Sequence, residues 1–176
     1  MILTGPKIEE CVNNGDICID PYRPDLVGPN SIDLCLANDL RIYTISKTKQ
    51  CLSLKQENTT RQLTIPDGGL VLRPGTLYLA RTIERVGSNK YVPIVEGRSS
   101  IGRLGIRIHQ TAGFCDVGFH GTITLEMDVL HPVRVFSGVP ICQAYFLEPI
   151  GPIRLYEGRY QNQIGTTPSK IHTDER

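Results

Sequence analysis

The six cysteines (Cys11, Cys18, Cys35, Cys51, Cys115 and Cys142) include no Cys-x-x-Cys pair, and the four histidines stand at no ligand spacing from them. That absence excludes the common structural zinc sites. The zinc deaminase signature, His-x-Glu with a later Pro-Cys-x-x-Cys, is missing too. Any deamination by this chain therefore has to activate water without a metal Lewis acid. No Walker-type loop, Gly-x-Gly-x-x-Gly fingerprint or His-Glu-x-x-His pair occurs either. The net charge of +1 gives no broad surface for nucleic acid or membrane, so phosphate binding would fall to a few placed arginines. No apolar run reaches a bilayer span, and Met1 to Lys7 does not read as a signal peptide. The cysteines are accordingly expected as small buried side chains in a reducing, cytoplasmic setting.

What is present reads as one domain over residues 1–176, long enough to bury a core. Twelve prolines and seventeen glycines break the chain into short elements, which favours an all-β architecture. Thr4 can cap a short helix, with Pro6 in its first turn, Ile8, Cys11 and Val12 on one face, and Gly15 as its stop. Pro21 to Pro29 reads as an extended connection. From Ser31 the apolar period becomes two, and strands are expected at Ile32–Leu36, Leu40–Ile45, Leu70–Leu72, Leu77–Ala80 and Tyr91–Val95. Further strands are expected at Ile106–Thr111, Thr122–Leu130, Val133–Phe136 and Ile141–Leu147. The fold class is thus mainly β, a sandwich or distorted jelly-roll with one helix in front. The polar segment Ser46 to Gln62 reads as a long hairpin or surface loop, and residues 155–176 as a mobile C-terminal arm. In an enzyme such an arm can close over a ligand.

Three stretches carry chemistry. Gly97-Arg98-Ser99-Ser100-Ile101-Gly102-Arg103 packs guanidinium forks and hydroxyls into one turn, the donors a polyphosphate requires. The same residues also describe a capped turn with solvated arginines. His109 to Phe119 brackets Asp116 and two aromatics with glycines, which lets a backbone lie against a flat base, although it equally describes a glycine-rich hairpin. In Thr122 to Val129 the apolar residues Ile123, Leu125, Met127 and Val129 alternate with Thr122, Thr124, Glu126 and Asp128. Glu126 is then either one more solvated carboxylate or an enclosed proton carrier.

In order along the chain, Met1-Ile2-Leu3, Ile19-Asp20-Pro21, Ser31-Ile32-Asp33-Leu34, Gly97 to Gly105, His109 to Glu126 and Tyr160-Gln161-Asn162-Gln163 together resemble the dCTP deaminase family, related to the trimeric dUTPases. The resemblance implies a dUTPase-like β-barrel and a homotrimer with sites shared between subunits. It makes Glu126 the proton shuttle for water attacking C4 of cytosine, with Ser99 and Arg103 holding that water and stabilising the developing charge. Arg98, Ser100 and the turn backbone at Ile101 and Gly102 would grip the triphosphate, with magnesium bridging its oxygens. Thr124 and Leu125 would meet the nucleotide through the strand backbone, and Asp116 would stand beside the deoxyribose and phosphates. Tyr156, Arg159 and Gln163 would come from the closing tail, and Gln143 is a further candidate. Arg159 stands where the family has lysine, which keeps the charge and changes the geometry.

Thr111-Ala112-Gly113-Phe114 is similar to the bifunctional branch, which also cleaves the dUTP formed to dUMP and pyrophosphate; Gly113 and Phe114 would determine that second activity. A glycine leaves space there, and Asp116 could orient a second water toward the α-phosphorus. A monofunctional deaminase releasing dUTP, a dUTPase alone, and a nucleotide-binding regulator without turnover are the alternatives. Inhibition by dTTP is a further implication of the family.

Overall fold

The computed structural model describes residues 1–45 and 51–174. Residues 46–50, within the polar segment read as a hairpin or loop, lie outside the described residues, as do 175 and 176. The chain opens with α1 (Gly5–Asn13), whose Ile8 and Cys11 are buried. Thr4 is its N-cap residue, but through the backbone only, since its side chain makes no capping bond. A 3-10 turn at Pro24–Leu26 interrupts the connection expected to be extended.

The described residues form eleven strands: β1 (Cys18–Asp20), β2 (Ile32–Cys35), β3 (Asp39–Tyr43), β4 (Thr60–Thr64), β5 (Leu70–Leu72), β6 (Tyr78–Gly87), β7 (Val92–Gly97), β8 (Ile106–Arg107), β9 (His120–Val129), β10 (Val133–Val135) and β11 (Pro140–Leu147). A four-residue helix, α2 (Ser99–Gly102), lies between β7 and β8. The largest sheet runs β4-β3-β6-β9-β8, with β1 also paired to β6. A second sheet runs β2-β11-β7, and β5 pairs with β10. Every pairing is antiparallel, as hairpin-linked short strands require.

One core joins the sheets. Ile32 and Leu34 of β2, Val95 of β7 and Phe146 of β11 meet Ala80 and Val86 of β6 and Leu125 and Met127 of β9, with Ile8 of α1 alongside. Each buried aliphatic contributes about 1.5–3 kcal/mol relative to exposure. The architecture is the mainly β, jelly-roll-like fold expected, although among the described residues the sheets remain separate rather than closing into a barrel.

Alternation on β9 follows the sequence, with Ile123, Leu125, Met127 and Val129 buried and Thr124, Glu126 and Asp128 half-buried on the other face. Thr122 is the exception and is buried, because the tail covers it: its backbone N–H donates to the Gln163 carbonyl at 3.1 Å. Beyond Arg107 the expected strand to Thr111 does not continue. The chain crosses instead to β7, where Val95 N–H donates to Gly113 O at 2.7 Å and Cys115 N–H to Pro93 O at 3.0 Å.

The C-terminal segment is docked rather than free. Asn162 N–H donates to His120 O at 2.8 Å, Gln163 Nε2 to Thr122 O at 2.7 Å, Thr166 Oγ1 to Asp39 Oδ2 at 2.9 Å and Lys170 N–H to the Tyr160 hydroxyl at 3.0 Å. Gly121 makes the close approach feasible, since a Cβ there would lie 2.9 Å from the Gln163 carbonyl oxygen.

Candidate functional site

The docked tail roofs a cleft of about 520 Å³ whose floor is the half-buried face of β9. Thr124 and Glu126 rise from that floor, Asp116 and Cys115 enter from the loop before β9, and Tyr156 and Gln163 come from the tail. Tyr43 at the end of β3, Phe119 and Tyr160 supply aromatic surface. The volume and the mix of aromatic walls with few polar groups suit a small organic ligand.

Glu126 is held from behind. Its Oε2 lies 2.8 Å from His109 Nδ1, and the His109 side chain is 9% exposed against 28% for Glu126. The β8–β9 register explains the meeting. Ile106 pairs with Val129 and Arg107 with Asp128, so the same register carried two residues further sets His109 opposite Glu126. The segment from Ala112 to Phe114 then covers the imidazole, and a Cβ on Gly113 would lie 3.6 Å from His109 Cδ2.

The cleft is anionic. Burial, and then the neighbouring Asp116 and Glu126 carboxylates, push the Cys115 thiol up to about 12, so this cysteine stays a neutral lining group at physiological pH. Among the described residues no three His, Cys, Asp or Glu side chains group to ligate an ion. The cleft does hold two carboxylates, Asp116 and Glu126, and Asp116, the more exposed, is of the kind that meets magnesium together with substrate oxygens.

The sequence candidates thus divide. Glu126, Asp116, Thr124, Phe114, Tyr156 and Gln163 line one cleft. Leu125 does not line it, its side chain lying in the core. Arg159 sits in the tail with its guanidinium on the Lys170 carbonyl and paired with Asp174. Arg98, Ser99, Ser100, Ile101, Gly102 and Arg103 do not line the cleft. Arg98 instead pairs with Asp33 at 2.9 Å and donates to Pro140 O at 3.0 Å. Gln143 bonds Ser31 Oγ at 2.8 Å and Gly97 O at 3.2 Å, also away from the cleft. Gly113 is not at a roomy point: a Cβ there would lie 2.4 Å from Val95 O, so it docks the loop on β7 rather than leaving space. His109, Phe119 and Tyr160 stood within stretches singled out in the sequence but were given no role, and Tyr43 and Thr167 to Ser169 were not among the sequence candidates. Only His109 had a readable signal, through the cross-strand register.

The model of a family described as dCTP deaminase-like matches residues 2–149. A Clostridium acetobutylicum protein named dCTP deaminase, dUMP-forming, is 46% identical over 99% of this chain and 98% of its own length. A Leptospira biflexa protein of the same name is 49% identical with the same coverage. The crystal structure of 2'-deoxycytidine 5'-triphosphate deaminase from Agrobacterium tumefaciens shares the fold, with TM-score 0.64 and 20% identity over 82% of this chain; the match spans 47% of that chain. This chain belongs to the dCTP deaminase-like family.

Proposed function

We propose that the protein deaminates dCTP without zinc and hydrolyses the dUTP formed to dUMP and pyrophosphate. One observation carries the reading. Glu126 lies on the floor of the cleft that Asp116 also lines, and the dUMP-forming relatives match the chain nearly end to end.

The chemistry sets what these side chains do. Deamination replaces the amine on C4 by oxygen, so water supplies two protons. Glu126 takes one as water adds to C4 and hands it to ring N3. It then passes the second to the amine, the C4–N bond breaks and ammonia leaves. Thr124 beside it meets the nucleotide with its backbone and hydroxyl. Tyr156 and Gln163 seat the nucleotide from the tail, which excludes water other than the reacting one.

Asp116 orients the second water in line with the α-phosphorus. Magnesium entering on the triphosphate would meet the same carboxylate and neutralise phosphate oxygens. Arg98, Ser99, Ser100 and Arg103 act on a nucleotide held in a neighbouring copy's cleft, in a homotrimer. Their position off the chain's own cleft supports that role.

Incubation with dCTP and magnesium tests the whole reading. Ammonia, dUMP and pyrophosphate are expected in equal amounts. Accumulated dUTP removes the second half, and unchanged dCTP removes both.

A further inference from the structure

A carboxylate that moves protons at C4 has to be kept in one pose. An ionised carboxylate has no donor, so the 2.8 Å contact between His109 Nδ1 and Glu126 Oε2 requires the proton on Nδ1. The other ring nitrogen, Nε2, is buried and has no hydrogen-bond partner among the described residues. A buried ring nitrogen left unpaired loses its water contacts without replacement. The loop that seals it is fixed to β7 by the Val95–Gly113 bond of 2.7 Å.

We propose that His109 is a positioning residue for Glu126: its Nδ1–H occupies Oε2 permanently, so that Oε1 alone exchanges protons with water, N3 and the departing amine. The inference rests on Glu126 being the proton carrier. The ring itself neither gains nor loses a proton. Its sealed Nε2 gives the proton on Nδ1 no alternative partner, and the imidazole, only 9% exposed, is held in place behind the carboxylate. Without the imidazole the carboxylate would be free to rotate about its last bond. Misplacement of a reacting group on that scale costs about 10²-fold in rate.

The test compares His109→Phe, which keeps the ring and removes the donor, with His109→Asn, whose amide N–H reaches where Nδ1–H lies. Steady-state kinetics on dCTP should show kcat for His109→Phe lower by about 10²-fold with KM little changed, and His109→Asn should recover most of the loss. Pyrophosphate release from dUTP supplied directly should fall far less in both variants, because no proton moves at C4 in that step. Unaltered kcat on dCTP for His109→Phe overturns the proposal. So does equal loss of both activities in both variants, which would make His109 a folding residue only. Glu126→Gln is assayed beside them: if it still deaminates dCTP, the reading of Glu126 itself fails, whatever His109 does.

Discussion

The β9 cleft and the α2 turn carry comparable densities of reactive side chains, yet only the cleft is closed by its own chain. Glu126 is backed by His109, flanked by Asp116 and Cys115, and roofed by Tyr156, Tyr160 and Gln163. On α2, Arg98 is tied back to Asp33 and Pro140, while Ser99, Ser100 and Arg103 make no side-chain hydrogen bond or ion pair among the described residues. Glu126, held by His109 on the floor of a lined cleft, suits proton transfer within the fold. Unengaged hydroxyls and a free guanidinium suit a ligand that arrives on a second copy. The candidate side chains thus fall into two groups, one gathered by the fold into a single cleft and one left on a turn outside it.

The largest expected effect breaks the cleft half. Glu126→Gln removes the proton acceptor and should lower dCTP turnover by about 10²–10⁴-fold, read as ammonia release, with the unfolding midpoint close to that of the native protein. Breaking the other half, Arg103→Ala should cost about 10²–10³-fold by removing charge stabilisation at C4. Mixing the two inactive variants then sharpens the comparison. If α2 serves a neighbour, random reassembly leaves about a quarter of sites with both native groups, and activity reappears. An inactive mixture, with subunit exchange verified, would show that α2 serves no neighbour's cleft.

The legible part of the molecule was the part governed by local pattern. Period-two alternation gave β9 and its buried face, and turn residues gave most strand ends. Thr122 and the end of β8 were misread because distant segments decide them: the tail bonds the Thr122 backbone, and Gly113 and Cys115 are drawn onto β7. The docked arm was illegible because its polar composition is that of a loose end, and its order comes from hydrogen bonds to β9 and β3. Glu126 and Asp116, singled out through family-like motifs, do line one cleft. His109 was quoted within such a motif and passed over, since its role exists only once β8 and β9 pair. Gly113 was noticed for the wrong physical cause, being a point of contact rather than a space.

Gly113 offers an intermediate effect that links loop and cleft. In Gly113→Ala the new Cβ meets Val95 O at 2.4 Å, so the loop has to lift from β7, costing about 1–3 kcal/mol in thermal or denaturant unfolding. Asp116 rides on the same loop, three residues on. The dUTP-to-dUMP product ratio should therefore rise, while deamination falls less. An unchanged ratio would detach the loop's docking from the second hydrolysis.

The smallest effect concerns the ground on which α2 stands. Glu84 of β6 is 2% exposed and accepts the Cys35 backbone N–H at 2.9 Å, two residues from the Asp33 that holds Arg98. Burial raises it above the ordinary carboxylate range, while the hydrogen bonds from Cys35 and the more distant Arg23 guanidinium oppose the shift. The folded protein thus keeps this proton to higher pH than the unfolded chain does. The stability it contributes is full below the unfolded carboxylate value and is lost as pH rises through the folded one. Glu84→Gln cannot ionise, so its unfolding midpoint relative to the native protein should climb as pH rises above the unfolded carboxylate value. A difference that stays flat with pH would mean that Glu84 ionises as easily in the fold as out of it. In that case the strand beneath Asp33 and Arg98 would be wetter than its burial implies, and the α2 turn less firmly held than the cleft it is compared with.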